Sequence, residues 1–289
     1  MYQIEKITPK KFPPALLEIP QSPKELFVAG KIPDPEKYIF LTIVGSRHYS
    51  AYGREVCEKI VSGLAGQPIM IVSGLALGID TIAHQSALEA GLITVAFPGS
   101  GLNQKVLYPS ANRRLAEKII ENGGALVSEY QPDQIATLYT FPQRNRLMAG
   151  LSRATLIIEA GQKSGTLITA RLATEYNRDV LAIPGSVFSP NSYGPNWLIK
   201  QGATPITEAE DILKHFSLKQ ESFDFDSAEK LADLSPSEKK IVELLRIEPL
   251  PRDELVFKAK VSASEANTVL SIMEIKGLIK ESLGEFHLN

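Results

Sequence analysis

Between residues 38 and 185 the chain alternates short apolar runs with stretches in which apolar side chains recur every three to four positions. The runs are YIFLTIVG (38–45), PIMIVSG (68–74), LITVAFPG (92–99), ALVSE (125–129), ATLIIEA (154–160) and DVLAIPG (179–185). Each has strand length, and consecutive apolar residues imply a strand covered on both faces, the habit of parallel sheets. AYGREVCEKIVSGLAG (51–66), IDTIAHQSALEAG (79–91), SANRRLAEKIIENG (110–123) and TLITARLATEYN (166–177) carry the helical period instead. Strands and amphipathic helices in strict alternation predict an α/β fold, a doubly wound Rossmann-like sheet over 38–216 that ends on TEAEDILKHF (207–216). Residues 1–37 are proline-rich and predict a short N-terminal extension with one helix over SPKELFVAG (22–30).

The pattern changes after residue 216. Residues 217–234 are polar and acidic with no apolar stripe, as expected of a linker. Ser235 or Ser237 then precedes Glu238 and the apolar positions Ile241, Leu244 and Leu245, a capping box opening a helix. Two more helical segments and a hairpin turning at Gly284 follow. Three helices and a ribbon over 235–289 predict a small C-terminal winged-helix domain.

Composition narrows the setting. The chain is 44% hydrophobic and 22% charged, ordinary for a soluble globular protein. No apolar run approaches the roughly 18 residues of a membrane helix, and the first residues hold no signal-peptide core. No membrane association and a cytoplasmic location are therefore expected. The single cysteine, Cys57, permits no internal disulfide or cysteine-based zinc cluster and reads as a small core residue. Net charge is −2, so nucleic acid is not announced by the total. Residues 144–178, however, hold six basic and two acidic side chains, which places any anion site near that stretch.

Open α/β sheets bind ligands beyond the carboxyl ends of their strands, so the residues after each strand matter most. They are Gly45-Ser46-Arg47, Ser73-Gly74, PGSG followed by YPSANRRL, and GQKSGT, which contains Lys163, Ser164, Gly165 and Thr166. Glycines admit a phosphate to the backbone, and amides at helix starts donate to it. The segment FPQRNRLMAG adds Phe141, Arg144, Asn145 and Arg146 where a helix begins, although helix N-termini favour acids over cations. Two cations there suggest an anionic ligand. Asn112 and Asn145 read either as base or loop ligands or as turn clamps.

Several chemistries fit poorly. A P-loop needs Gly-Lys followed by Ser or Thr, and no such triplet exists; a dinucleotide fold needs GxGxxG after the first strand, whereas GSGLNQ follows the third. The four histidines, His48, His84, His215 and His287, have no metal spacing. Asp80, Glu129 and Glu159 lie near strand ends and suit either catalysis or the orienting of arginines and helix caps. Three readings stay open on these residues: a single-stranded polyanion binder with aromatic platforms in Tyr108, Tyr139, Phe141 and Phe188; a nucleoside-monophosphate hydrolase on a Rossmann-like fold; and an interaction scaffold. The third expected helix of the C-terminal domain carries Glu265, Glu274 and Lys276, which favours a protein-contact role over DNA reading.

Taken together, GSR, SGLALGID, PGSGLNQKVLYPSANRRL, SEY, FPQRNRLMAGLS, EAGQKSGTLITARLA and VLAIPG followed by GPNWLIKQGA resemble the DNA-processing protein A (DprA/Smf) family in content and order over residues 9–215. The end of the chain is similar to that family's winged-helix domain. The resemblance implies an extended Rossmann fold that binds and protects single-stranded DNA and loads a RecA-type recombinase in natural transformation or recombination. It implies no catalytic residues, metal or nucleotide cofactor. It places single-stranded DNA contacts at Arg47, Phe141, Arg144, Asn145, Arg146 and Lys163, and the convergence of loops at the strand ends adds Gly45, Ser46, Ser73, Gly74, Asn112, Ser164, Gly165 and Thr166 to the expected contacts. It further implies a homodimer paired through the late Rossmann region, with EAEDILKHF as the segment to inspect. Many relatives carry an additional N-terminal helical domain, and its contribution is expected to be absent here.

Overall fold

The computed structural model describes residues 2–218, 235–245, 249–259, 262–275, 278–282 and 284–288. Its contacts separate the chain into Met1–Leu218 and Lys219–Asn289. Most of the expected linker, 219–234, lies outside the described residues.

In the first unit a nine-stranded sheet forms from β1 (Ile4–Ile7), β2 (Leu26–Gly30), β3 (Ile39–Val44), β4 (Ile69–Ser73), β5 (Thr94–Ala96), β6 (Ala125–Ser128), β7 (Ala154–Ile157), β8 (Asp179–Ala182) and β9 (Thr204–Pro205), in the order β1-β2-β6-β5-β4-β3-β7-β8-β9. From β6 to β9 all neighbours are parallel. The chain leaves central β3 toward β4, β5 and β6, then returns to place β7 on the other side of β3. A crevice therefore opens at the carboxyl ends of β3 and β7, the switch point of this topology.

The doubly buried strands divide their side chains by parity. Leu41 and Ile43 share one core with Cys57, Ile60 and Val61 of α2 (Ala51–Ser62) and with Ile79 and Ala83 of α3 (Ile79–Glu89). Phe40 and Val44 share the other with Leu147, Met148 and Leu151 of α5 (Thr140–Leu151) and Ala170 of α6 (Thr166–Glu175). Cys57 is fully buried, and burial pushes its thiol pKa far up, consistent with a packing role. Short α1 (Pro14–Leu17), α4 (Arg113–Glu121), α7 (Tyr193–Lys200) and α8 (Ala209–His215) complete the unit.

The helix expected over SPKELFVAG is instead strand β2. It pairs antiparallel with β6 and with β1, so residues 1–37 supply two strands of the sheet. Leu26 and Val28 enter one core while Phe27 and Ala29 enter another. Burial on both faces through a partner about 100 residues away outweighs the helix-start signal of Ser22-Pro23-Lys24-Glu25.

The second unit holds helices Pro236–Leu245, Arg252–Ala259 and Ala263–Ile275, with β10 (Leu250–Pro251), β11 (Ile279–Ser282) and β12 (Glu285–Leu288) in the antiparallel order β10-β12-β11. Its ribbon thus gains a short third strand. Ser235 provides the cap: its hydroxyl accepts from Glu238 N–H at 3.2 Å, and the Glu238 carboxylate accepts from Ser235 N–H at 2.7 Å. Ile241, Leu245, Leu255, Leu270, Ile279 and Phe286 form its core. None of the described helices is long and apolar enough to cross a membrane.

Candidate nucleic-acid interface

A cleft of about 570 Å³ occupies the switch point. The loop after β3 gives it Gly45, Ser46, Arg47 and His48; the loop after β7 gives Gly161, Lys163, Ser164 and Gly165. Thr166, which opens α6, ties the two loops together by donating its hydroxyl to the Gly45 carbonyl at 3.1 Å. Its own N–H bonds the Ser164 hydroxyl at 3.2 Å, so part of the loop's donor capacity is already used internally. Gly78 explains how the β3 loop lies so close to α3. Its φ is +88°, and a Cβ there would stand 2.6 Å from the Arg47 Cα.

Helix α5 brings in the FPQRNR segment, and its neighbours go separate ways. Phe141 sits over Gly99, where a Cβ would come within 2.5 Å of the ring. Its ring centroid lies 5.6 Å from that of Tyr108 and 5.2 Å from the Arg47 guanidinium carbon. Arg144 is buried and donates to the carbonyls of Gly74 and Phe97. Arg146 turns away from the cleft and pairs both oxygens of Glu129 at 2.7 and 2.6 Å. Asn145 faces the cleft between them.

Electrostatics follow from this burial. Desolvation lowers the Arg144 pKa to about 10; Asp80 opposes that shift and Arg47 adds to it. Burial raises Asp80, against the pull of Arg144 and of the Gly74 N–H, which donates to its carboxylate at 3.1 Å. Arg47 and Lys163 are exposed and form no ion pair among the described residues. They are the cleft's available cations.

Ten of the expected contacts thus line the cleft: Gly45, Ser46, Arg47, Phe141, Arg144, Asn145, Lys163, Ser164, Gly165 and Thr166. Gly74 lines a recess of about 30 Å³ beside it, together with Tyr108 and Arg47. Three others serve the scaffold. The buried Ser73 hydroxyl donates to the Ile43 carbonyl at 2.6 Å. Buried Asn112 clamps a turn, donating to the Leu75 carbonyl and the Thr81 hydroxyl, both at 2.8 Å. Arg146 is held by Glu129. The expectation that Arg144 and Arg146 meet a ligand as free cations does not fit these partners.

The carboxylates near the strand ends are equally committed. Glu159 is buried, receives the Ser50 N–H at 2.9 Å and the Ser50 hydroxyl, and so fixes the start of α2. Gly53 leaves room for that carboxylate. His84 is buried against Thr94, and desolvation with the nearby Arg144 charge holds its pKa down to about 3, so it is neutral. Among the described residues no cluster of three metal-ligating side chains occurs. The sequence reading missed His48, Asn191, Met148, Ile168 and Thr169 as cleft walls. Only Asn191 carried a signal: it follows Pro190 and bonds the His48 carbonyl at 2.9 Å, joining two loops.

Known proteins are similar to this chain in sequence and fold. The profile of the DNA recombination-mediator protein A family matches residues 3–217, and that of the DprA winged helix domain matches residues 226–284. Protein Smf of Escherichia coli is 44% identical over 204 residues, covering 71% of this chain and 54% of Smf, so the chain spans about half of that relative's length. DNA processing protein DprA of Streptococcus pneumoniae is 43% identical over 205 residues, covering 71% of each protein. The X-ray structure of DprA from S. pneumoniae superposes with a TM-score of 0.68 at 40% identity, covering 73% of this chain and 74% of that one. DNA processing protein A from Helicobacter pylori, whose structure concerns its single-stranded DNA binding mode, gives a TM-score of 0.67 at 28% identity, covering 75% and 96%. With three quarters of its length matching as one continuous Rossmann-like unit, the chain belongs to the DNA recombination-mediator protein A family.

Proposed function

We propose that this protein binds single-stranded DNA in the switch-point cleft and acts as a recombination mediator rather than as an enzyme. The observation that carries the reading is the convergence on one cleft of Arg47 and Lys163, which form no ion pair among the described residues, with Phe141, whose ring is flanked by Tyr108 in the adjoining recess. Cations beside aromatic faces suit a strand whose phosphates and bases are both exposed, whereas a duplex hides its base faces. Family membership and the single-stranded DNA binding mode of the H. pylori relative support the same ligand.

By the same membership, the bound strand is handed to a RecA-type recombinase, and the protein pairs as a homodimer through the late segment around α8. The setting is natural transformation or related recombination in the cytoplasm. A nucleoside-monophosphate hydrolase would want an acid free to act in the cleft. Asp80, the acid lining it, is buried against Arg144 and the Gly74 amide, which favours binding over turnover.

Photocrosslinking a halogenated oligothymidine and mapping the modified peptides tests the location. Crosslinks should fall on the peptides carrying Tyr108, Phe141 and Lys163. Crosslinks confined to other surfaces would contradict the assignment.

A further inference from the structure

In a dinucleotide-binding Rossmann fold the ligand's pyrophosphate sits at the start of the helix that follows the first parallel strand, where free amides and the helix dipole favour an anion. The corresponding helix here is α2, after β3, and a side chain of the protein takes that place. The Glu159 carboxylate, just past the end of β7, is 1% exposed and accepts from both the N–H and the hydroxyl of Ser50, the residue that caps α2. The Ser50 hydroxyl accepts in turn from Gly53 N–H at 3.1 Å, which links the carboxylate to the first turn of the helix. A Cβ on Gly53 would lie 2.4 Å from the carboxylate, so a glycine is needed for the acid to come this close. Buried carboxylates are ordinarily held by a cation. Glu159 has no ion pair among the described residues; its remaining donor there is the Asn191 side-chain amide, at 3.3 Å. The helix start supplies the compensation that a lysine or arginine gives elsewhere. The same carboxylate joins three loops: Ser50 closes the β3 loop that carries Arg47, Glu159 opens the β7 loop that carries Lys163, and Asn191 belongs to the loop after β8. Asn191 completes the junction, donating to the His48 carbonyl at 2.9 Å and accepting at its own carbonyl from Ala160 N–H at 2.8 Å.

We infer that Glu159 is a positioning residue that acts as a built-in anion: its carboxylate occupies the start of α2 in place of a ligand's phosphate and so holds the β3, β7 and β8 loops in the geometry of the cleft. The start of α2 is thereby closed to nucleotide phosphates, and a bound strand meets the exposed cations of the loops instead. The inference rests on the single-stranded DNA reading for what the positioned loops bind.

The test removes the carboxylate and returns it as a free ion. Glu159→Ala deletes the heavy atoms of one acetate, and its melting temperature should fall by at least about 2–4 °C, the loss expected of a helix cap in a chain of this size. Sodium acetate should recover most of that fall relative to sodium chloride at equal ionic strength and neutral pH, whereas acetamide, the uncharged isostere, should not. The wild type, whose helix start is filled, should not distinguish the two salts. Anisotropy of a labelled oligothymidine, read well below the melting temperature, should show severalfold weaker binding by Glu159→Ala in chloride and recovery in acetate. Equal melting of Glu159→Ala in acetate and chloride would overturn the inference and leave the DNA reading standing, as would wild-type strand affinity of the folded variant in chloride. If Glu159→Ala does not fold in chloride, the yield on refolding into acetate makes the same comparison, and no gain there would overturn the inference. Failure of the wild type to bind the strand in either salt would overturn the DNA reading itself and the positioning role with it.

Discussion

Arg144 and Asp80 face each other within the carboxyl edge of the sheet and share Gly74, whose carbonyl accepts from the guanidinium and whose N–H donates to the carboxylate. The pair therefore fixes the turn after β4 and the seat of α5 at once. Removing the guanidinium leaves the buried Gly74 and Phe97 carbonyls without that donor and Asp80 without its favourable neighbouring charge, which costs on the order of 1–3 kcal/mol. Arg144→Gln should accordingly lower the melting temperature by several degrees, as read by differential scanning calorimetry. Arg144→Gln melting like the wild type would show that the arginine is not structural.

The exposed cations should behave in the opposite way. Arg47→Glu and Lys163→Glu should melt normally yet bind single-stranded DNA tenfold or more weakly. Their salt slopes should flatten by about 0.7 for each phosphate that is no longer neutralised. Arg146→Gln, which breaks the pair with Glu129, should leave the slope unchanged.

Gly99 separates shape from stability. A Cβ there would meet the Phe141 ring at 2.5 Å, and that ring can swing because it is only partly buried. Gly99→Ala should therefore displace the ring from beneath Arg47 and weaken strand binding severalfold, with a small change in melting temperature. Circular dichroism melts and anisotropy on the same preparation distinguish this from unfolding.

Acid sensitivity should trace in part to His84. Its folded pKa is depressed from 6.5 to about 3, so the unfolded chain binds the extra proton first as pH falls. The stability associated with neutral His84 is complete above about pH 6.5 and drains between that value and about 3. Denaturant midpoints measured from pH 7 to pH 4 should fall less steeply in His84→Gln than in the wild type, over the part of the slope that His84 supplies.

How much of this was legible in the sequence depends on whether the partner is local. The strands from β3 to β8 announced themselves because Phe40–Val44 and its counterparts are apolar on both faces, and the glycine loops after them follow from topology. Gly45-Ser46-Arg47 and Lys163-Ser164-Gly165 could thus be placed together before any coordinates. LFVAG could not, since its strand character comes from pairing with Ala125–Ser128. Nor could the fates of Arg144 and Arg146. Two residues apart on a helix they point about 200° from each other, so they could not both enter one cleft. Which of them faced the cleft side was decided by Gly74, Phe97 and Glu129, all remote in sequence.

Everything proposed here depends on the switch-point cleft holding single-stranded DNA. Anisotropy titration of an oligothymidine and a matched duplex over a range of salt decides that point. The single strand should bind more tightly than the duplex, log affinity should fall linearly with log salt, and binding should collapse in Lys163→Glu. Failure to bind the single strand at low salt, or full affinity in both Lys163→Glu and Arg47→Glu, would contradict it.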